Sequence, residues 1–291
     1  MKCLLLTTTN HAAGRRDDLQ RLFDSVTHER QCGLDVELHL LIQNCSGTEA
    51  AALPYLPPFV RVQTMDGTCS LSAARNVLLS TINCRASLND DTFVAFPDDD
   101  CWYPPHFLVH LADSFARDND IDLFVCRFSE RPVIWVPGCL ALRSARFKDV
   151  VRLTSSNNMF VRGRIALRVG QFDPGLGLGT PAAGGEDTEY ALHAFFQGRR
   201  ALVTDACLVG HPDNSLAKVS TYYMGDLVVL ARFATRSPAA FYEFARKLAV
   251  GGCLLLMKRL SMGSYVAALR ASVDELKTGR TRNLAEPQVD V

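Results

Sequence analysis

Short apolar runs alternate with helix-like stretches through the first 128 residues, and this alternation limits the fold more than any other feature of the chain. Five runs have the length and composition of buried strands, and they cover Cys3–Thr8, Val36–Asn44, Val60–Met65, Thr92–Phe96 and Ile121–Phe128. Predicted helices lie between them at Asp17–Thr27, Ser70–Ile82 and His106–Arg117. Because helices between strands act as crossovers, the pattern predicts an α/β fold with a mostly parallel central sheet flanked by helices.

The second predicted strand differs from the others because apolar and polar side chains alternate along it. Val36, Leu38 and Leu40 alternate with Glu37 and His39. A strand with this period presents one face to the core and the other to solvent. We therefore predict that this strand is half exposed and lies near an edge of the sheet.

The second half of the chain carries different signals. Short apolar pieces with many arginines occupy residues 133–169, and the five glycines of residues 175–185 predict a long mobile loop, a candidate lid. The later segments predict a helix at Glu186–Gln197, a strand at Ala201–Thr204 and three C-terminal helices at Tyr222–Phe233, Ala239–Lys258 and Tyr265–Lys277. We predict a main domain over 1–215, with halves at 1–128 and 129–215, a helical region at 216–278 and a disordered tail at 279–291.

Charge and cysteine content exclude several classes of protein. Lys plus Arg equals Asp plus Glu at 31 each, so no excess charge is available for broad binding of nucleic acid. The ten cysteines include no C-x-x-C pair and no zinc-type spacing with histidine, which favours free thiols in a reducing cytoplasm. The most apolar late segment, Leu248–Met257, is ten residues long, against the ~20 that a membrane-spanning helix needs. We therefore predict a cytoplasmic protein without a transmembrane helix.

Three successive carboxylates, Asp98, Asp99 and Asp100, directly follow the fourth predicted strand and Pro97. In open α/β sheets, ligands bind at the carboxyl ends of the strands. Side chains alternate along an extended backbone, so Asp98 and Asp100 can point the same way while Asp99 points elsewhere. Such a pair can hold Mg²⁺ or Mn²⁺, which prefer oxygen ligands and often bind substrate phosphates as well. A solvated acidic turn is the alternative, but the buried strand before the triplet argues against it.

Two further polar residues follow the glycine-rich segment. Asp187 falls in the first turn of a predicted helix, where the helix dipole alone also favours an acid. His211 opens a loop after the last predicted strand, and a lone histidine is more often incidental than a ligand. Neither residue identifies a site by itself.

The order of these parts resembles that of family 2 glycosyltransferases, which are inverting, DXD-type enzymes with the GT-A fold. The acidic triplet, the glycine-rich segment ending in Glu186 and Asp187, and His211 follow one another as in that family. The further matching segments are Thr7–Asn10 at the end of strand one, Gln43–Ser46 at a turn, Leu71–Asn76 with its Ala-Arg-Asn helix start, and Val169–Asp173. The resemblance covers about residues 1–215, with the nucleotide-binding half at 1–128 and the acceptor half at 129–215.

The resemblance implies a metal-dependent transfer of a sugar from a nucleoside diphosphate sugar to a hydroxyl of a glycan or lipid-linked acceptor, in surface polysaccharide or glycolipid biosynthesis. Uridine is the default base, and thymidine is the alternative. Histidine suits Mn²⁺ better than Mg²⁺, which favours manganese as the cofactor. The family pattern implies Asp187 as the general base; Asp100, His211 and Asp98 as metal ligands; Thr7, Thr9, Asn44, Arg75, Asp98 and Asp99 around the nucleotide; and Glu186, Trp102 and Asn157 near the donor sugar or acceptor.

Other functions stay open at the level of sequence. A sugar-phosphate nucleotidyltransferase would use similar acids and a basic glycine-rich signature after the first strand. Residues 10–16 match that signature only weakly. A non-catalytic carbohydrate-binding protein would keep the fold without the chemistry. The basic C-terminal helices suit peripheral contact with an anionic membrane, at the cytoplasmic face, and a helical layer with charges in solvent is the alternative.

Overall fold

A computed structural model describes residues 1–46, 56–83, 86–212 and 215–278. Its strands are Lys2–Asn10 (β1), Asp35–Gln43 (β2), Val60–Met65 (β3), Thr92–Ala95 (β4), Ile121–Ser129 (β5), Arg143–Ser144 (β6), Met159–Arg162 (β7) and Arg200–Gly210 (β8). The α-helices are Arg16–Gln31 (α1), Leu71–Ile82 (α2), Phe107–Arg117 (α3), Phe147–Leu153 (α4), Gly163–Val169 (α5), Glu186–Gln197 (α6), Ser215–Phe233 (α7), Pro238–Leu256 (α8) and Met262–Thr278 (α9). The predicted tail at 279–291 lies outside the described residues.

All eight strands form one sheet in the order β3-β2-β1-β4-β7-β5-β8-β6. The first four strands in this order are parallel to one another, and β5 is parallel to β8. Strand β7 runs antiparallel between β4 and β5, and β6 runs antiparallel to β8. The mostly parallel α/β sheet is therefore confirmed, and the sequence pattern missed only the two short antiparallel strands.

The half exposure predicted for β2 is wrong, although the strand does lie next to the edge strand β3. The strand pairs with β1 on one side and with β3 on the other, and every residue from Leu38 to Gln43 is buried. The polar residues that suggested exposure have partners, since Glu37 accepts a hydrogen bond from Lys2 and lies 3.5 Å from the ring of His39. Burial of a polar side chain is tolerated where a partner satisfies it, so alternation here does not indicate an exposed face.

Apolar cores lie on both faces of the sheet. Successive residues of β1 serve opposite cores, with Leu4 in one and Leu5 in the other. The first core also contains Tyr223 and Leu227 of α7, so this helix packs into the same core as the sheet. None of the described helices is long and apolar enough to span a bilayer.

The cysteines within the described residues are all free. They are nine in number, and Cys3, Cys45, Cys101 and Cys126 are buried. This agrees with the free thiols predicted from their spacing.

The glycine-rich segment 175–185 is anchored, in contrast to the mobile loop predicted from its composition. Leu176 and Ala182 form a β-bridge that folds the segment back on itself. The start of α2 holds it from outside, because the Ser72 hydroxyl donates to the Leu176 carbonyl at 2.7 Å and the Leu71 N–H donates to Leu178 at 2.9 Å. The glycines permit positive φ angles and close approach between backbones.

The contact between this loop and α7 depends on Gly225. A Cβ atom there would lie 2.0 Å from the carbonyl oxygen of Gly184, so helix and loop would have to separate. We expect Gly225→Ala to lower the free energy of unfolding by about 1–3 kcal/mol in urea denaturation, as overpacking does. The matched control is Gly252→Ala on α8, where nothing lies within 4 Å of the added atom and alanine should stabilise the helix by about 0.5–1 kcal/mol. Equal stability of the two variants would contradict the described packing.

Candidate functional site

A cavity of about 770 Å³ opens at the carboxyl ends of the central strands. The end of β1, the residues after β4 and the residue after β8 form its floor. Its walls come from α2, from the loop that precedes α6 and from the C-terminal helices. This is the edge of the sheet at which open α/β folds bind ligands.

Asp98, Asp100 and His211 meet at this floor. Each offers one ligand atom, and the three atoms lie within 4.8 Å of one another. His211 Nε2 is 3.1 Å from Asp100 Oδ1 and 3.8 Å from Asp98 Oδ2. Asp100 Oδ1 is buried, and the imidazole of His211 lies beside it within hydrogen-bond distance. Two carboxylates and an imidazole fit a divalent ion, and the imidazole favours Mn²⁺ over Mg²⁺.

The position of His211 is set by β8, which is longer than predicted and ends only at Gly210. The histidine ring packs edge-on against Phe128, with centroids 5.1 Å apart. Gly210 exchanges two backbone hydrogen bonds with Trp102, whose ring occupies the space that a Cβ on Gly210 would need. The segment after the acidic triplet and the end of β8 are thereby fixed to each other.

Arg15 bridges Asp99 and Asp100 of the acidic triplet. Its Nη1 donates to Asp99 at 2.9 Å and to Asp100 at 2.7 Å, and Thr9 donates to Asp99 at 2.6 Å. Burial raises the pKa of Asp99 despite these contacts. Burial alone would raise the pKa of Asp100 as well. The contacts with His211 and Arg15 outweigh burial, so the pKa of this carboxyl is lowered. Asp99 is thus a bonded, largely buried residue that shares the Arg15 donor with Asp100.

Arg75 connects the metal-type cluster to Asp187. The arginine is 2% exposed, and its guanidinium donates to Asp98 at 3.1 Å and to Asp187 at 2.7 Å. It also lies 3.8 Å from Glu186 Oε1. The side chain of Ser70 caps α2 by accepting from the Ala73 N–H, which places Arg75 in the second turn facing the strand ends.

Asp187 is oriented from two sides. One oxygen accepts from Arg75, and the other accepts from the backbone N–H of Ser156 at 2.9 Å. Ser156 belongs to a short 3₁₀ turn that precedes β7. Because β7 is antiparallel to β4, its beginning lies at the carboxyl end of the parallel strands, beside the acids. Of this turn, the sequence had indicated only Asn157 as a site residue, and not Ser156.

Asn157 in the same turn binds the acidic triplet. Its Oδ1 accepts from the Asp98 N–H at 2.7 Å, and its Nδ2 donates to Asp98 Oδ2 at 2.9 Å. The residue was expected near the donor sugar. It lines the cavity, but its amide is occupied in holding Asp98.

Glu186 is more deeply buried than its neighbour Asp187. It is 5% exposed, and burial, together with the charge of Asp187, raises its pKa to about 8. This favours the protonated form of Glu186 at neutral pH.

Three predicted site residues lie off the cavity wall. Thr7 is fully buried, and its position does not reach the lining. Asn44 donates to Asn10 beside the cavity, while its neighbour Gln43 lines the wall. The ring of Trp102 is covered by the guanidinium of Arg21 at 4.0 Å rather than open to a sugar.

The C-terminal helices also supply part of the wall. Tyr222, Asp226 and Leu230 come from α7, and Arg246 and Lys247 come from α8. Lys247 binds Asp226 at 2.6 Å, so this ion pair joins the two helices at the cavity. The sequence marked these helices as amphipathic but gave no sign that they reach the site.

Solved structures of S. aureus TarS share this fold. TarS 1–349 in complex with UDP-GlcNAc matches with a TM-score of 0.66 and 13% identity, over 95% of this chain and 82% of that one. TarS 1–349 itself gives 0.60 and 13% over 95% and 81%, and the complex with UDP gives 0.53 and 13% over 96% and 90%. Neither a protein-family model nor a curated protein sequence matches the chain. The likeness confirms the predicted fold class.

Removal of the Arg75 guanidinium would leave several acids without their shared cation. We expect Arg75→Met to lower the free energy of unfolding by about 3–5 kcal/mol, the cost of breaking a buried ion pair on one side. The matched control is Arg117→Met, because that pair with Asp113 is exposed at 77% and 53% and should contribute less than about 1 kcal/mol. Chemical denaturation of both variants measures the difference, and similar small losses would rule out the linking role of Arg75.

Proposed function

We propose that this protein is a metal-dependent, inverting glycosyltransferase. It transfers a sugar from a nucleoside diphosphate sugar, UDP-linked by preference, to a hydroxyl of a glycan or lipid-linked acceptor in surface polysaccharide or glycolipid biosynthesis. One observation carries the proposal. A cluster of two carboxylates and an imidazole shares a cavity with a separate, oriented carboxylate, Asp187. The fold shared with TarS structures that hold UDP-GlcNAc and UDP supports a nucleotide-sugar donor.

The floor of the cavity near β1 and β2 suits the nucleoside. Gln43 lines this region, and its Oε1 accepts from the Cys69 N–H at 2.8 Å. The amide NH₂ of Gln43 then serves to donate to a carbonyl of a pyrimidine base. Thr8 and Asn10 line the same region and supply further polar contacts for the ribose.

Asp98, Asp100 and His211 would hold Mn²⁺ or Mg²⁺, which when bound neutralises negative charge on the diphosphate leaving group. Neighbouring residues orient the two carboxylates by hydrogen bonds. Asn157 fixes the orientation of Asp98, and Arg15 holds the second oxygen of Asp100. The ligands are thus positioned by hydrogen bonds before a donor arrives, which lowers the cost of organising the site.

Asp187 acts as the general base. It accepts the proton of the acceptor hydroxyl while that oxygen attacks the anomeric carbon and the bond from this carbon to the diphosphate breaks. Direct displacement inverts the anomeric configuration. The protonated form of Glu186, favoured at neutral pH, can donate a hydrogen bond to a sugar, but it cannot take this proton.

We also propose that the turn between α8 and α9 contacts an anionic membrane surface from the cytoplasmic side. Leu256, Met257 and Met262 are 85%, 59% and 62% exposed. Lys258 and Arg259 are exposed between them. Apolar side chains beside cations suit the boundary between lipid tails and anionic headgroups. A lipid-linked acceptor would be reached from such a position.

The role of Asp187 can be separated from donor binding. We expect Asp187→Asn to lower the rate at which UDP is released from UDP-sugars by about 10²–10⁴-fold, because a positioned base contributes that much to the rate. UDP binding in titration calorimetry should stay unchanged, since the base acts on the acceptor. Asp205→Asn is the control, because Asp205 is a 63% exposed carboxylate outside the cavity lining. Parallel loss of UDP binding would instead place Asp187 at the nucleotide.

The metal claim depends on Asp100. We expect Asp100→Ala to weaken UDP binding in the presence of Mn²⁺ and to leave binding without metal nearly unchanged, because the carboxylate contacts the ion rather than the nucleotide. Calorimetry with and without Mn²⁺ measures both affinities. Equal loss in both conditions would show direct contact with the nucleotide. Absence of any metal-dependent nucleotide binding by the unaltered protein would overturn the proposed function.

A further inference from the structure

A second group of metal-type ligands lies outside the cavity, where the end of α1 meets the start of α3. His28 and Cys32 are four positions apart, so they share one side of the helix end. His106 directly precedes α3. One ligand atom from each residue lies within 4.8 Å of the other two, and none of the three residues lines the cavity.

The separation of the Cys32 sulfur from the His28 ring nitrogen matches a tetrahedral metal site. Zn²⁺ binds thiolate sulfur at about 2.3 Å and imidazole nitrogen at about 2.0–2.1 Å, which places the two ligand atoms roughly 3.6 Å apart around a tetrahedral ion. Cys32 Sγ is 3.7 Å from His28 Nε2. The rings of His28 and His106 face each other edge-on with centroids 5.3 Å apart.

The chemistry of the three ligands differs from that of the cavity. A thiolate and two imidazoles select Zn²⁺ and disfavour hard cations such as Mg²⁺. The cluster in the cavity has two carboxylates and one imidazole and no sulfur. The two sites would therefore take different ions.

The surroundings of the cluster supply negative charge and an unusual backbone conformation. Glu29 is fully buried next to His28, its Oε2 accepts from the Val109 N–H at 3.0 Å, and its Oε1 has no hydrogen-bond partner among the described residues. A buried carboxylate beside imidazole ligands is a common outer partner of a metal site. His106 has φ 65° and ψ 6°, a left-handed conformation that non-glycine residues seldom adopt and that occurs often at functional positions.

We propose that His28, Cys32 and His106 form a Zn²⁺ site with its fourth position open to water. The ion joins the end of α1 to the start of α3. Only residues 101–105 separate His106 from the acidic triplet, so the ion would hold one end of the segment that leaves the triplet. The inference is independent of the proposed transferase activity.

Cobalt substitution tests the site in the full-length protein. After chelator treatment, we expect one equivalent of Co²⁺ to give thiolate-to-metal charge-transfer absorption, which only a cysteine ligand produces, and Zn²⁺ to abolish it. Cys32→Ser should remove the absorption, and Cys139→Ser, which alters an exposed thiol elsewhere, should retain it. Asp100→Ala should also retain it, because the ion in the cavity has no sulfur ligand.

A second variant and a measurement of stability distinguish loss of the metal site from a folding defect. His106→Asn keeps a residue type that tolerates positive φ, and it should weaken Zn²⁺ binding at least about tenfold, since even outer partners of a metal ligand contribute that much. Zn²⁺ should raise the melting temperature of the unaltered protein and of Cys139→Ser, but not that of Cys32→Ser. Absence of the charge-transfer band in the unaltered protein, or its survival in Cys32→Ser, would overturn the proposal.

Discussion

The buried guanidinium of Arg75 is the interaction on which the cavity depends. Asp98 lies far along the chain from the adjacent acids Glu186 and Asp187, and all three lie within 4 Å of this one side chain. Two like charges 4 Å apart repel by about 4 kcal/mol at an effective dielectric of 20. A planar fork of donors can bind two carboxylates at once, which a lysine cannot do with defined geometry. The arginine therefore makes the convergence of acids compatible with a stable fold.

Strand β7 decides which residues meet these acids. Its antiparallel direction between β4 and β5 brings the turn of Ser156 and Asn157 to the carboxyl ends of the parallel strands. A parallel strand in the same position would present its other end there. One reversal of direction thus provides the groups that orient both Asp98 and Asp187.

Local patterns predicted the strands of the first half well, because each apolar run there is short and most of the runs are separated by a clear helix. The triplet and His211 were also recognised, and the structure brings Asp98 and Asp100 together with that histidine. The roles of Arg15, Ser156 and the cavity wall from α7 and α8 were not predicted, since they arise from contacts between residues far apart in sequence. The histidine–cysteine cluster was missed for two reasons. The spacing of His28 and Cys32 was not recognised as that of a metal-binding pair on a helix, and His106 lies far from both along the chain.

The wall formed by α7 and α8 makes the cavity a property of nearly the whole chain. Thr8 from the first strand and Lys247 from the eighth helix line the same space. During synthesis, the acids and His211 would all emerge from the ribosome before the helices that enclose them. A nascent chain at that stage exposes its acidic floor without a formed binding space. A complete binding space therefore requires α7 and α8 to be docked on the sheet.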